Sequence, residues 1–450
     1  MTLDELREAI TEGRVDTVLI AMVDMQGRLM GKRCHAAYFI DKAWKETRCC
    51  DYLLATDLDM ATPTGYEASS WEKGYGDYLL RPDLSTLRLV PWLEATALVL
   101  CDVLGTTDKQ RVAHDPRTVL MHQIERARAM GLEPMAATEL EFYLFAEPYE
   151  ADVARGRIPP MVSGYNDDYS LLHTSRVEGY LRPLRNHLAE AEIPVECTKG
   201  EAGPGQVELN LRYGPALLAA DRHAMAKHAA KELAASQMRA VSFMAKWHSH
   251  QVGSAAHVHL SLADQDGANI CFDPNAEFGL SSTMRHFMAG LLVYGADCTY
   301  FYAPYVNSYK RFVTGSFAPT RLAWSVDNRT AGYRLCAVNG PQIRVECRIP
   351  GADMTPHLAI AAMLAAGLSG IEKELQLPAP KTGNIYVKDE LTDIPKTLRD
   401  AATILEDSRM MRSAMGDQVV NHYSRAAFWE AEQAEMAVTD YDVIRGFERA

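Results

Sequence analysis

The segment GEAGPGQVELNLR, residues 200–212, decides what kind of fold to expect from this chain. After its Gly-Pro-Gly turn the side chains alternate, because Gln206, Glu208 and Asn210 are polar and the residues between them are Val or Leu. Neighbouring side chains of a β-strand point to opposite faces, so the pattern predicts a strand with one polar face. An ordinary half-exposed strand alternates in the same way, so this segment alone identifies no site.

Three further segments repeat the alternation with an unusual set of polar side chains. These faces carry Glu, His and Arg but no Lys, whereas a face that is merely solvated carries Lys and Thr as well. The segments are TELEFYLF (138–145) with Glu139 and Glu141, AAHVHLSLAD (255–264) with His257, His259 and Ser261, and QIRVECRIP (342–350) with Arg344, Glu346 and Arg348. Taken together, the four segments predict one pocket to which several strands contribute.

The chemistry of the expected pocket indicates metal ions and an anionic substrate. Glutamates with a histidine and without cysteine suit a hard divalent cation such as Mg²⁺ or Mn²⁺, and the candidate ligands outnumber those that one ion takes from protein. We therefore expect two or more ions, which would also relieve repulsion between the carboxylates. Arginines at 329, 334, 344 and 348 suit phosphate or carboxylate. Metal ligands and arginines without an obvious nucleophile are typical of phosphoryl transfer, and the chain has no P-loop motif.

Composition excludes several classes of partner. The 450 residues are 48% hydrophobic and 23% charged, as in ordinary globular proteins. A net charge of −13 disfavours nucleic acid and anionic membranes as partners. Nine cysteines without a CxxC pair indicate a reducing compartment. The first residues are predicted to form a helix with a capping box rather than a signal peptide. The longest apolar run, 358–368, is too short to span a bilayer. We predict a cytoplasmic protein.

A polar stretch with Pro116, GTTDKQRVAHDPR (105–117), divides the chain. We place the domain boundary there, with a mixed N-terminal domain at 1–110 and a larger α/β or α+β domain at 111–450. Strands are predicted at 17–23 and 96–104. Helices are predicted at 117–130 (closed by Gly131), 216–247, 284–297, 356–374 and 395–415.

Six segments in the same order and spacing resemble the glutamine synthetase family, class I type. They are TELEFYLF, EAGPGQVEL, GSAAHVHLSL, NSYKRF, WSVDNRTAGYR and RVECRIPGADMTPHLAIAAMLAAGLSGI. The resemblance implies an α+β fold, with a small β-grasp domain followed by a catalytic domain built on a curved antiparallel sheet flanked by helices. It also implies a homo-oligomer of stacked hexameric rings with active sites between subunits.

The same resemblance implies a reaction and a role for each site residue. ATP phosphorylates the γ-carboxylate of glutamate, and an amine then attacks the acyl phosphate, with Mg²⁺ or Mn²⁺ bound. The implied metal ligands are Glu141, Glu201 and Glu208 for one ion and Glu139, His257 and Glu346 for the other. The implied ATP contacts are Glu196, His259, Ser261, Arg334 and Arg344. Arg311 and Arg348 hold glutamate, with Gly253 also at the substrate, and Arg329 stabilises the transferring phosphoryl group.

Departures from the family pattern fall where ammonium would bind. Phe317 stands where ammonium-using members carry a glutamate, Val252 replaces an asparagine, and segment 57–77 is altered, so that Asp57 and Asp59 are uncertain matches. Tyr169 matches an ammonium-site tyrosine. A pocket for ammonium needs a carboxylate, whereas a ring offers apolar surface.

We therefore predict a ligase that joins glutamate to an organic amine, with a small alkylamine, alkanolamine or arylamine favoured. A true glutamine synthetase and a catalytically inactive family member are the alternatives. A metal-dependent hydrolase, suggested by the HVH motif alone, lacks the later His and Asp ligands that it would need.

Overall fold

The computed structural model describes residues 1–150, 158–388 and 390–450, and two β-sheets organise them. The first sheet has the order β2-β1-β6-β4-β3, with β5 paired to β6, and its central pair β1–β6 is parallel. Its strands are β1 Thr17–Val23, β2 Leu29–His35, β3 Thr47–Cys50, β4 Asp77–Pro82, β5 Arg88–Leu89 and β6 Thr96–Gly105. The tight β1–β2 connection needs Gly27, whose φ is +75°.

The second sheet carries the alternating segments. It has the order β13-β14-β15-β12-β7-β9-β8, with β10 and β11 also paired to the long strand β7, and every pair except β13–β14 is antiparallel. Its strands are β7 Glu133–Phe145, β8 Val195–Gly200, β9 Gln206–Leu211, β10 Gly214–Pro215, β11 Ala240–Ser242, β12 Ala256–Ala263, β13 Trp324–Val326, β14 Tyr333–Cys336 and β15 Arg344–Cys347.

Helices cover this second sheet, and α3, α4 and α5 contact its strands directly. The α-helices of the described residues are α1 Leu3–Thr11, α2 Ala36–Tyr38, α3 Pro116–Ala129, α4 Leu171–Glu190, α5 Ala216–Ser236, α6 Ser282–Val293, α7 Gly295–Tyr302, α8 Val306–Tyr309, α9 Pro356–Glu372, α10 Leu398–Asp407, α11 Arg409–Met415, α12 Asp417–Met436 and α13 Asp440–Gly446. The long apolar run of the sequence lies in α9, which is buried among α3, α5, α6, α7 and α11. Each helix in the described ranges falls short of the length and apolar character that a bilayer crossing needs.

Three helix predictions are wrong, one because the helix ends early and two because the predicted helix is interrupted. The helix predicted at 216–247 ends at Ser236, where Met238 takes a left-handed conformation (φ +54°) and the chain continues into β11. The helix predicted at 284–297 is two helices, α6 and α7, and the one predicted at 395–415 is broken between α10 and α11 by Ser408. The Ser408 hydroxyl accepts a hydrogen bond from the N–H of Met411 at 3.0 Å, which starts a new helix at that point.

A buried arginine ties the first sheet to the second part of the chain. Arg117, in α3, is 1% exposed and its guanidinium lies 2.9 to 3.0 Å from three carboxylates. These carboxylates belong to Asp83 and Asp102 of the first part and to Asp221 in α5. The boundary at 110/111 stays a prediction, since this network spans it.

Candidate active site

Strand register brings the predicted site residues onto one face of the second sheet. On β7, Glu141 lies opposite Glu208 of β9, and Glu139 lies opposite His257 of β12. On the far side of β12, Glu346 of β15 is opposite the second histidine of β12. Because residues two apart share a face, these side chains form one continuous acidic patch. The patch is the floor of a cavity of about 380 Å³.

Three groups of side chains on this patch are close enough to hold cations. In each group one ligand atom from every residue lies within 4.8 Å of the others. The groups are Glu141–Glu201–Glu208, Glu139–Glu208–His257 and Glu139–His259–Glu346. The first is the set predicted for one ion. The other predicted set also comes together, since Nδ1 of His257 is 3.0 Å from Glu139 and 3.6 Å from Glu346. Carboxylate and imidazole donors without thiolate fit Mg²⁺ or Mn²⁺.

The acidic patch divides into a protonated half and an ionised half. Burial and Glu201 raise the pKa of Glu141 to about 8, and burial and Glu141 raise the pKa of Glu208 to about 9. Burial opposes ionisation of Glu346 too, but His257 and Arg348 lower its pKa to about 2. A cation bound between Glu141 and Glu208 must therefore displace protons from the carboxyl groups, whereas the carboxylates of the other half are already ionised.

Glu139 is held as a carboxylate by two histidines. Burial opposes its charge, but hydrogen bonds from His257 and His259 take its pKa well below the usual value. The ring of His259 is oriented by Arg344, whose Nε donates to Nδ1 at 3.2 Å. Since Nδ1 accepts, Nε2 carries the proton and donates to Glu139 at 3.0 Å.

The sequence prediction missed Lys199, a cation inside the cavity. Lys199 of β8 lies opposite Glu208 and its Nζ contacts the carboxylate of Glu201. The same Nζ lies 3.4 Å from Asp168 and 4.3 Å from the ring centre of Tyr169. The signal in the sequence was its position two residues before Glu201 in a strand, which puts both on one face.

A second cavity of about 330 Å³ adjoins the first and shares Glu139 with it. Four of the five predicted ATP contacts line it, namely Glu196, His259, Ser261 and Arg344. Glu196 lies at a register shift in the β8–β9 pairing, which interrupts the regular alternation there. Arg334, the fifth, lines the first cavity instead and pairs with Glu346 at 2.8 Å.

Two arginines form a buried wall of the first cavity. Arg311 is 4% exposed and donates to the backbone carbonyls of Ile349 (2.8 Å) and Arg348 (3.0 Å), and burial lowers its pKa to about 10. Arg348 contacts the carboxylate of Glu346. Gly253 must be glycine here, because a Cβ would lie 2.6 Å from Cγ of Arg311. Arg329 lines the same cavity but is exposed.

Comparison with known proteins explains this arrangement. Residues 113–445 match the model of the glutamine synthetase catalytic domain. This chain belongs to the glutamine synthetase family. The predicted family is therefore confirmed, and the predicted fold class is confirmed with it.

Relatives within the glutamine synthetase family match nearly the whole chain. It is 46% identical to a γ-glutamylethanolamide synthetase of Streptomyces coelicolor, covering 99% of this chain and 96% of the relative. It is 37% identical to a glutamate–isopropylamine ligase of a Pseudomonas species, covering 98% and 97%. A solved structure named GmaS/ADP complex-Conformation 1 superposes with a TM-score of 0.85 at 25% identity, covering 98% of this chain and 99% of that one.

The outer wall of the first cavity carries Phe317 and Val252, which depart from the family's ammonium-using pattern, and Tyr169, which matches it. Phe317 is 61% exposed and Tyr169 is 69% exposed, and both have left-handed backbones with φ of +58° and +55°. Val252 lines the same wall. Asp57 and Asp59 are not among the residues that line this cavity. Phe317 and Val252 thus place apolar surface on this wall, beside the carboxylate of Asp168.

Proposed function

We propose that this protein joins the γ-carboxylate of glutamate to an organic primary amine at the cost of ATP. The reaction runs through γ-glutamyl phosphate and yields a γ-glutamylamide, ADP and phosphate. The acidic floor, the two adjoining cavities and relatives named for ethanolamide and isopropylamine ligation support this proposal.

In this proposal the acidic floor holds two or more Mg²⁺ or Mn²⁺ ions. Glu141, Glu201 and Glu208 bind one, and Glu139, His257 and Glu346 bind the other. When bound, such ions neutralise charge on the transferring phosphate and orient it. ATP lies in the second cavity against Glu196, His259, Ser261 and Arg344, with Arg334 at the junction.

The buried arginine wall receives the amino acid. Arg311 and Arg348 present fixed positive charge beside Gly253, where a close backbone leaves room for glutamate carboxylates. Arg329 is exposed on the same cavity and can reach the phosphoryl group as charge develops on it. Phe317 and Tyr169 contact the carbon substituent of the amine.

The phenyl ring at position 317 is the observation that supports an organic amine rather than ammonium as the substrate. An ammonium ion is bound by charge and hydrogen bonds, and a phenyl ring at this position supplies neither a carboxylate nor a hydrogen-bond acceptor. The ring instead offers apolar surface that an alkyl or aryl group can cover. A small alkylamine, alkanolamine or arylamine is thus the substrate class.

A panel of amines tests the proposal directly. Ethanolamine, isopropylamine, aniline, putrescine and ammonium are each supplied with glutamate, ATP and Mg²⁺, and the product mass and phosphate release are measured. We expect a γ-glutamylamide from at least one monoamine at a kcat/KM above that for ammonium. Ammonium as the preferred substrate would identify a glutamine synthetase, and bound nucleotide without turnover for any amine would identify an inactive member.

We also propose that the protein works as a homo-oligomer of stacked hexameric rings in the cytoplasm, with active sites between subunits. Apolar side chains on the surface of the single chain support an assembly, because isolated subunits rarely expose several together. Trp71, in the altered segment, is 70% exposed, and near the C-terminus Val438, Ile444 and Phe447 are at least 80% exposed. Mass photometry of the purified protein measures the assembly directly.

A further inference from the structure

One segment behind the first cavity joins two loops of its wall. We name residues 381–388 the strap. At one end of the strap, the Gly383 carbonyl accepts from the side-chain amide of Asn328 at 2.8 Å, and the N–H of Ile385 donates to the Thr330 hydroxyl at 3.1 Å. Arg329 lies between these two contacts in the sequence. The strap therefore fixes the backbone on both sides of Arg329.

Through Tyr386, the residue after Ile385, the strap also reaches the turn that carries Phe317. The hydroxyl of Tyr386 donates to the carbonyl of Ala318, the residue after Phe317, at 3.0 Å. Tyr386 is 8% exposed, and burial raises the pKa of its phenol even though Arg348 and Arg311 oppose the shift. The phenol is therefore protonated at neutral pH and remains a hydrogen-bond donor.

The turn needs such support because its backbone is strained. Phe317 has φ of +58°, a region that costs a residue with a side chain about 1 kcal/mol or more. Its ring is 61% exposed and contributes little packing to hold the turn in place. The hydrogen bond from Tyr386 to Ala318 is thus a specific source of order for the turn whose ring faces the amine.

We propose that Tyr386 is a positioning residue that sets where Phe317 stands in the cavity and so controls how the amine is received. This inference rests on the proposed function. Tyr386 does not touch substrate in this arrangement, since it acts through the 317–318 backbone. The second cavity, where ATP is placed, is lined by neither the strap nor this turn. A change at Tyr386 should therefore alter the kcat/KM for the amine and leave the KM for ATP unchanged.

Tyr386→Phe tests the proposal, because it removes only the hydroxyl. Kinetics are measured with ethanolamine and with isopropylamine at saturating glutamate, ATP and Mg²⁺, together with the ratio of phosphate released to amide formed. We expect kcat/KM for the amine to fall about three- to tenfold, the size of one lost hydrogen bond, with the KM for ATP within about twofold of wild type. The phosphate-to-amide ratio should rise above one, because a mobile wall admits water to the acyl phosphate.

Tyr180→Phe is the matched control. Tyr180 is fully buried and its hydroxyl donates to the carbonyl of Ala230 at 2.8 Å, so the same kind of bond is lost between α4 and α5. An equal loss of amine kcat/KM in both variants would overturn the proposal, and so would a Tyr386→Phe enzyme with wild-type amine kinetics. A rise in KM for ATP that matches the amine effect would overturn it as well.

Hydrogen exchange separates this inference from the proposed function. Peptides covering 313–320 should exchange faster in Tyr386→Phe than in wild type, and unchanged exchange would overturn the positioning role whatever the substrate. If the wild-type enzyme makes no amide from organic amines but does use ammonium, the proposed function fails, and the same kinetic comparison is made with ammonium.

Discussion

Replacing Phe317 with glutamate should convert part of the amine site into an ammonium site. Two unit charges 4 Å apart attract by about 1 kcal/mol at the dielectric of water and by about 4 kcal/mol at an effective dielectric of 20. Phe317 is 61% exposed, so solvent screening places the gain near the lower value. A gain of about 1 to 2 kcal/mol corresponds to a rise of about five- to thirtyfold in kcat/KM for ammonium.

Phe317→Gln is the control for this prediction, because it matches glutamate in shape and lacks only the charge. Both replacements keep a Cβ at a backbone φ of +58°, so any strain is common to them. The assay is glutamine formation from ammonium, read by product mass beside phosphate release. Apolar amines should lose kcat/KM in both variants, because the ring is gone. The reasoning fails if Phe317→Glu uses ammonium no better than Phe317→Gln does.

Three further predictions concern metal binding and stability. Burial and like charge raise the pKa values of Glu141 and Glu208 to about 8 and about 9, so Mg²⁺ binding to the metal-free protein should release about one to two protons at pH 7 and fewer at pH 9. Calorimetry in buffers of different ionisation enthalpy counts the released protons, and a release below about 0.5 at pH 7 would contradict the assignment. Because both pKa values exceed the usual 4.5, the contribution of these two carboxyl groups to the stability of the metal-free protein falls as pH rises from about 5 to 9. Lys199→Met should lower the apparent Kd for Mg²⁺ by about three- to tenfold, since Nζ no longer competes for the glutamate it contacts; titration with Mg²⁺ measures this, and an unchanged Kd is the contrary result. Arg117→Met should lower the free energy of unfolding by about 3 kcal/mol in urea titrations, because it removes the buried cation that three carboxylates share and leaves the buried Asp221 with His357 alone, whereas Arg399→Met on the exposed surface should change little.

The acidic floor was predictable from the sequence because it depends on local rules. Alternation assigns Glu139 and Glu141 to one face, and the same rule assigns Glu208 and His257, so the strands needed only to pair for the patch to form. The structure pairs them with Glu141 opposite Glu208 and Glu139 opposite His257. The order of the strands in the sheet is not local, and the alternation does not predict it.

The features that the sequence did not predict depend on contacts between distant residues. The Tyr386 hydroxyl hydrogen-bonds to Ala318, which is 68 positions away in the sequence, and no residue spacing predicts that contact. The helix that was predicted to run to residue 247 ends earlier without a glycine to mark its end in the sequence. Met238 adopts a left-handed backbone there, and the pairing of residues 240–242 with β7 stabilises this turn. Propensity favoured a longer helix there, and tertiary pairing overrode it.

Buried and exposed residues of the site differ in how much stability their replacement costs. Glu346 is fully buried and is paired with Arg334 and with Arg348, itself 6% exposed, so altering Glu346 leaves the buried Arg348 without its carboxylate partner. Phe317 and Tyr169 are more than 60% exposed, and their replacement removes little buried surface. A change of amine can therefore arise on the outer wall at small cost in stability, while the buried acidic floor stays the same.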